Sequence, residues 1–279
     1  MPDPNTPCPG PGGLAGWTRR LLALHGIKPR DRLGQNFLVD PRGVKKFTGL
    51  IPEAGEALEI GPGLGALTLS AATRIKRIIA VEADHRLAGI LARVAGECAP
   101  GVLVARGDGL QALSWWRGWL VYSNTPYNLS TEIVARAAKN NSIRVLILGV
   151  QAEVAYRLAA EPGTSDYGRI TLLARRYFRV EVAGRIPRSW YYPRPKVDGA
   201  IVRLERVRDW QPGDEVYEAV TACLYTGRNR LASKMARVCS ERLGLSLCLP
   251  PRLRDARVRD LTPWDVEEII RCAGAGGGG

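Results

Sequence analysis

The stretch EALEIGPGLGALTLSAAT, residues 56–73, decides the fold. EALEI has the apolar character of a buried strand. It runs into a turn carrying Gly61, Gly63 and Gly65, and LTLSAAT leaves that turn with a helical pattern. Strand, tight glycine turn and helix in succession begin a βαβ unit. The chain beyond continues the alternation. RIIAVE (77–82), VLVARGD (102–108), WLVYSN (119–124) and RVLILGV (144–150) read as strands, with helices over about 84–95 and over STEIVARAAK (130–139). Such alternation predicts an α/β domain with a mostly parallel sheet covered on both faces.

The flanks read differently. Residues 1–16 begin with MPDPNTPCPGPGG, whose proline and glycine content predicts a disordered tail. A short amphipathic helix is expected over 17–27, and Asp40 followed by Pro41 supplies an N-cap and first-turn pair for another. Two further strands, RYFRVEVAGRI (176–186) and VDGAIVRLERV (197–207), are joined by PRSWYYPRPK and should form a hairpin-like edge. RDWQPGDE (208–215) reads as a linker. The main domain is therefore expected over 17–208, and a small helical domain with a loose glycine-rich end over 209–279. Within it Thr262 and Pro263 offer another cap.

The formal net charge is +13, from 40 Lys and Arg against 27 Asp and Glu. Such a balance favours polyanionic partners, nucleic acid above all. No apolar run reaches the length of a transmembrane span, and RRLLALHG is too short for a signal peptide, so a cytosolic protein is expected. Two histidines and six cysteines without a C-x-x-C pair argue against a metal site. Buried free thiols are expected, with a disulfide among the C-terminal cysteines as the alternative for a hyperthermophile.

GPGLGA fits G-x-G-x-x-A, and Glu82 follows about 20 residues later at a strand end, the spacing of a dinucleotide fingerprint. An NAD-dependent oxidoreductase is therefore one reading. Two other acids favour a different ligand. Glu59, before Gly61, suits a cationic ligand group, and Asp108 ends the third strand. Ligands of open α/β sheets bind at these strand ends. An amine, a ribose and an adenine would use all three acids, and S-adenosylmethionine carries all three groups without a phosphate.

The segment SNTPYN, residues 123–128, ends the fourth strand beside the same crevice. Proline bars the preceding residue from helix and removes a donor. The amine of a nucleobase is a poor nucleophile because its lone pair is delocalised into the ring. The Asn124 carbonyl oxygen and a backbone carbonyl at Pro126 can accept from that amine, localise the lone pair and aim it at a methyl donor. Tyr127 can stack on the base, which must first leave its own stack. The alternative is a turn closed by Asn124 with Tyr127 packed on the next helix.

LGQNFLVD, EIGPGLGALT, VEAD, RGDGL, NTPYNLST, DYGRITLL and YYPRPKVDGAIVRL occur in this order between residues 33 and 204, and YTGRNR follows at 225–230. Together they resemble the small-subunit ribosomal RNA adenine N6-dimethyltransferases, the KsgA-type family. The resemblance implies a Rossmann-like class I methyltransferase domain with a small C-terminal helical domain. It also implies S-adenosylmethionine as cofactor and N6,N6-dimethylation of two adjacent adenosines near the 3′ end of small-subunit RNA. The substrate would be an immature small ribosomal subunit, met by a monomer. The family's cofactor contacts fall on Asn36, Leu38, Gly61, Glu82, Asp108 and Asn124, to which the glycine turn adds Gly63 and the strand end Glu59. Its target-base site falls on Asn124, Pro126 and Tyr127. The family usually has phenylalanine where Tyr191 stands, and a stacking role is expected to pass to that ring. Relatives that methylate a large-subunit adenine are the alternative within the family, and a non-catalytic ribosome-assembly factor is the alternative outside catalysis.

In GRNRLASKMAR, Arg228, Arg230, Lys234 and Arg237 are candidate RNA contacts. On one continuous helix, 230, 234 and 237 would share a face. The plainer reading is a solvated helix face.

Overall fold

The structure is a computed structural model that describes residues 8–9, 13–30, 34–126 and 129–271. Most of the expected disordered tail, the glycine-rich end and Tyr127 lie outside the described residues. In chain order the elements are α1 (Leu14–Leu24), β1 (Phe37–Leu38), α2 (Pro41–Thr48), β2 (Ala54–Ile60), α3 (Ala66–Ala71), β3 (Ile75–Glu82), α4 (His85–Cys98) and β4 (Val102–Arg106). They continue with α5 (Gly109–Trp115), β5 (Leu120–Asn124), α6 (Ser130–Lys139), β6 (Val145–Gln151), α7 (Ala152–Ala159), α8 (Arg169–Tyr177), β7 (Phe178–Ile186), β8 (Tyr191–Tyr192) and β9 (Gly199–Arg206). Last come α9 (Asp214–Tyr225), α10 (Ala232–Leu243) and α11 (Pro263–Arg271).

Seven strands form one sheet in the order β4-β3-β2-β5-β6-β9-β7. The pairs β2–β3, β3–β4, β2–β5 and β5–β6 are parallel, and β6–β9 is antiparallel. This is the mostly parallel, Rossmann-like α/β architecture that the alternation predicts. Residues 57–60 of β2 are buried without alternation, as a strand covered on both faces must be. The strand order reverses between β2 and β5, so their carboxyl ends open a crevice. β7 and β9 are neighbours as expected, with β7 at the edge. A second, two-stranded sheet pairs β1 with β8, setting Phe37 against Tyr192 and Leu38 against Tyr191.

Caps explain several helix starts. Asp40 accepts from Arg42 N with Pro41 at the first position of α2, and Asp84 and Asp108 cap α4 and α5 in the same way. Helix α1 starts at Leu14, so residues 14–16 belong to a helix and not to the tail. None of the described helices is long and apolar enough to cross a membrane.

The chain divides into two compact units, 1–155 with 181–205, and 156–180 with 206–279. Residues 156–180, read from sequence as part of the first domain, group with the helical one. The helical unit packs Tyr167, Leu172, Tyr217, Val220, Leu224, Met235, Val258 and Ile269 into its own core. Inside it Arg176 is buried between Asp214 at 2.6 Å and Glu267 at 2.9 Å, with its guanidinium 3.7 Å from the Tyr217 ring centre. Thr262 and Asp265 form the expected cap of α11 through reciprocal bonds.

The cysteines depart from expectation. Cys8 is bonded to Cys98 and Cys223 to Cys239, and Cys248 is disulfide-bonded as well, so no free thiol is found among the described residues, and the alternative of a disulfide among the C-terminal cysteines is the one that holds. Folding brings the Cα atoms of Cys223 on α9 and Cys239 on α10 to 5.8 Å, within disulfide reach. Spacing in the sequence carries no such distance.

Candidate active site

A cavity of about 250 Å³ opens at the carboxyl ends of β2, β3 and β5. Its lining brings together Asn36, Leu38, Glu59, Gly61, Gly63, Glu82, Asp108, Asn124 and Pro126. These come from five separate segments of the sequence. Tyr191 does not line it, and Tyr127 lies outside the described residues.

Glu82 ends β3 and is 7% exposed. Its carboxylate accepts from the backbone N–H of Gly63 at 3.0 Å and of Asp84 at 2.9 Å. Gly63 turns this donor inward with φ near +60°, and a Cβ there would also meet the Phe37 ring at 3.0 Å. Burial raises the Glu82 pKa, against the pull of these N–H donors. The Arg86 guanidinium holds the neighbouring Asp84 well below the usual carboxylate range. Gln35 donates to Asp84 at 3.0 Å and so pins the QNF segment beside β3, a link the sequence reading missed. Asp108 spends Oδ1 on the α5 cap, accepting from Leu110 N at 2.8 Å. Its other oxygen keeps its acceptor capacity.

Glu59 is 1% exposed and accepts from the Tyr122 hydroxyl at 3.0 Å. Burial, reinforced by the charge of Glu82, pushes its pKa up to about 7. A buried carboxyl in this state gains from a cation brought alongside. Tyr122 went unnoticed in the sequence. Its signal was position: it stands two residues before Asn124 on β5, and it faces Glu59 across the β2–β5 register.

Asn124 is the last residue of β5, level with Gly149 of β6. Its Nδ2 donates to the Asn36 carbonyl at 3.4 Å, and its Oδ1 accepts from the Tyr191 hydroxyl at 3.3 Å. The stacking role expected for Tyr191 meets a different placement. The residue is 4% exposed and lies in strand β8 against Leu38, with its hydroxyl turned to Asn124. A ring so enclosed offers no open face to a base.

The cationic group lies in the helical unit. α10 begins only at Ala232, so Arg230 precedes the helix and the continuous face expected for 230, 234 and 237 does not exist. Leu231 bridges instead to Arg257, which fixes a non-helical turn before α10. Arg230, Lys234 and Arg237 are exposed, whereas Arg228 donates to the Ser165 carbonyl at 2.8 Å. Arg230, Lys234 and Arg257 line one shallow groove.

Residues 26–244 match the family described as ribosomal RNA adenine dimethylase. A probable ribosomal RNA small subunit methyltransferase A of Aeropyrum pernix is 46% identical over 198 residues, 69% of this chain and 70% of the relative. A protein of the same description from Pyrococcus abyssi is 32% identical over 259 residues, 89% of this chain and 93% of the relative. Among solved structures, a dimethyladenosine transferase from Plasmodium falciparum superposes with TM-score 0.70 at 19% identity, covering 85% of this chain and 96% of that one. That likeness speaks for the fold alone. A dinucleotide-dependent oxidoreductase is set aside by the match of sequence, and the chain belongs to the ribosomal RNA adenine dimethylase family.

Proposed function

We propose that the protein transfers methyl groups from S-adenosylmethionine to N6 of two adjacent adenosines near the 3′ end of small-subunit ribosomal RNA, within an immature subunit. The observation that carries this reading is the convergence of Asn124 and Pro126 with Glu59, Glu82 and Asp108 on one cavity.

The cavity suits the cofactor on its own chemistry. Glu82 can accept from ribose hydroxyls, Asp108 from the adenine amine, and Glu59 can face the positive charge, while among the described residues no basic side chain stands in the lining to receive a phosphate. When bound, the sulfonium supplies an electrophilic methyl group. The protein's part is placement. The Asn124 oxygen and a backbone carbonyl at the Pro126 turn accept from the adenosine amine, drawing its lone pair out of conjugation and toward the methyl. No strong base is needed, because the nitrogen becomes acidic only after attack. The excess of positive charge, with Arg230, Lys234 and Arg237 exposed, supports attraction of the RNA.

The test is transfer of labelled methyl groups to immature small subunits, followed by digestion to nucleosides. Label in N6,N6-dimethyladenosine from the small-subunit RNA is expected. Label confined to large-subunit adenosine, or no transfer at all, would overturn the reading.

A further inference from the structure

The carboxamide of Asn124 has two ends of nearly equal shape and opposite hydrogen-bonding character. Turned by half a rotation, it would offer a donor where the target amine needs an acceptor. Its surroundings are not symmetric. The Asn36 carbonyl can only accept, so Nδ2 faces it, at 3.4 Å. The Tyr191 hydroxyl donates to Oδ1 at 3.3 Å. Both bonds are long, so neither alone fixes the group, and the restraint comes from the pair and the walls around it.

Two glycines build those walls. A Cβ at Gly149 would stand 2.7 Å from the Asn124 Oδ1 and 3.2 Å from the Phe47 ring. A Cβ at Gly199 would stand 2.9 Å from the Tyr191 hydroxyl and 3.2 Å from the Val150 carbonyl. Gly149 lies inside β6 and Gly199 opens β9, paired with Gln151, and neither has positive φ. Glycine weakens a strand, and its presence there marks a close approach of other groups. Here the close approach is that of the amide oxygen and of the phenol that holds it.

We propose that Tyr191 is a positioning residue whose hydroxyl, seated in the space left by Gly199, holds the Asn124 oxygen as the acceptor for the target amine. A carboxamide oxygen has two lone pairs, so one serves Tyr191 and the other remains for an adenosine N–H. This rests on the reading of Asn124 given above. It assigns the phenol a role that a phenylalanine at the same position cannot fill, and it ties residue 191 to residue 199.

The experiment is a double-mutant cycle of Tyr191→Phe and Gly199→Ala, read as kcat and KM for methyl transfer to immature small subunits, with cofactor affinity and melting temperature for each protein. Loss of one hydrogen bond should lower kcat of Tyr191→Phe about three- to tenfold, with KM unchanged. Gly199→Ala in the parent should push the hydroxyl off Asn124 and cost at least as much. In the Tyr191→Phe background the same change should cost under about twofold, since only the Val150 carbonyl must yield. Equal cost of Gly199→Ala in both backgrounds overturns the proposal, as does full activity of Tyr191→Phe. If Gly199→Ala fails to fold, the kcat and KM of Tyr191→Phe decide alone. Asn124→Ala separates the two levels. Parental activity in that variant removes Asn124 from the chemistry and overturns the functional reading itself. An inactive Asn124→Ala beside an unimpaired Tyr191→Phe overturns only the role of the phenol.

Discussion

The Tyr122 hydroxyl donates to Oε2 of Glu59 at 3.0 Å across the junction of β2 and β5, and both side chains are buried. The carboxyl pKa there is raised by burial to about 7 from an ordinary 4.5. The folded state thus holds this proton more tightly than the unfolded chain. Its contribution to stability is fully present below pH 4.5 and is lost as pH rises through about 7, on the order of 3 kcal/mol in total. Denaturant titrations of the free protein between pH 5 and 8 should show this fall. Glu59→Gln, neutral at every pH, should flatten it, and an unchanged slope in that variant would remove Glu59 as its source.

A second expectation concerns the ligand. A cation bound beside Glu59 favours the carboxylate, so S-adenosylmethionine should drive off part of a proton near neutral pH. Calorimetric titration in two buffers of different ionisation enthalpy reads that release directly. Identical heats in both buffers would put the ligand's charge away from Glu59.

Glu82 serves the cavity twice, since its carboxylate also braces the turn at Gly63 and the backbone at Asp84. Glu82→Ala should weaken cofactor binding by about 1.5–3 kcal/mol for each charged hydrogen bond lost to the ribose. Glu82→Gln, which keeps one acceptor, should lose less. Equilibrium binding of S-adenosylhomocysteine measures both, and an unaltered affinity in the alanine variant would move the ribose elsewhere.

Stacking is the proposed task of Tyr127. Base–aromatic stacking contributes on the order of 1–3 kcal/mol, so Tyr127→Ala should lose most methyl transfer while cofactor binding survives. Tyr127→Phe should retain substantial activity. Equal damage from both would show that the hydroxyl matters and the ring does not.

For the helical unit the triple reversal of Arg230, Lys234 and Arg237 to glutamate should weaken binding to the small subunit. It should also flatten its salt dependence, each lost phosphate contact lowering the slope by roughly 0.7–0.9. Arg228 is better left intact, because its bond to the Ser165 carbonyl holds the local turn. Parental binding at every salt concentration would make these three a solvated surface.

What could be read from the sequence was local pattern. EALEIGPGLGA announces strand, turn and helix because burial on both faces of β2 draws Ala57, Leu58 and Ile60 into its buried half and the turn demands glycine. The acids at strand ends were legible for the same reason: a parallel sheet puts all its carboxyl ends on one edge, so Glu59, Glu82, Asp108 and Asn124 had to meet. Contacts made by irregular segments were not legible. β1 and β8 are two residues each, too short to show a period, yet they bring Tyr191 to Asn124. The break before α10 was hidden because RNRLASKMAR keeps helical spacing through it. The Cys223–Cys239 disulfide depends on a distance that only the packed helices α9 and α10 supply.

Those cross-links bear on how the protein holds its form. Cys8–Cys98 closes a span of 90 residues and Cys223–Cys239 one of 16, each within its own unit. In the chain-entropy account such closures restrict the unfolded ensemble by about 4–5 and about 3 kcal/mol respectively. Cys8 stands in a sequence of prolines and glycines, a composition with little to bury, and a covalent bond ties it to the end of α4. Neither bond touches the cavity lining. Opening these two bonds is therefore expected to loosen the hold of the fold over its disordered alternatives while leaving the lining residues in place, which would make endurance and chemistry separately adjustable.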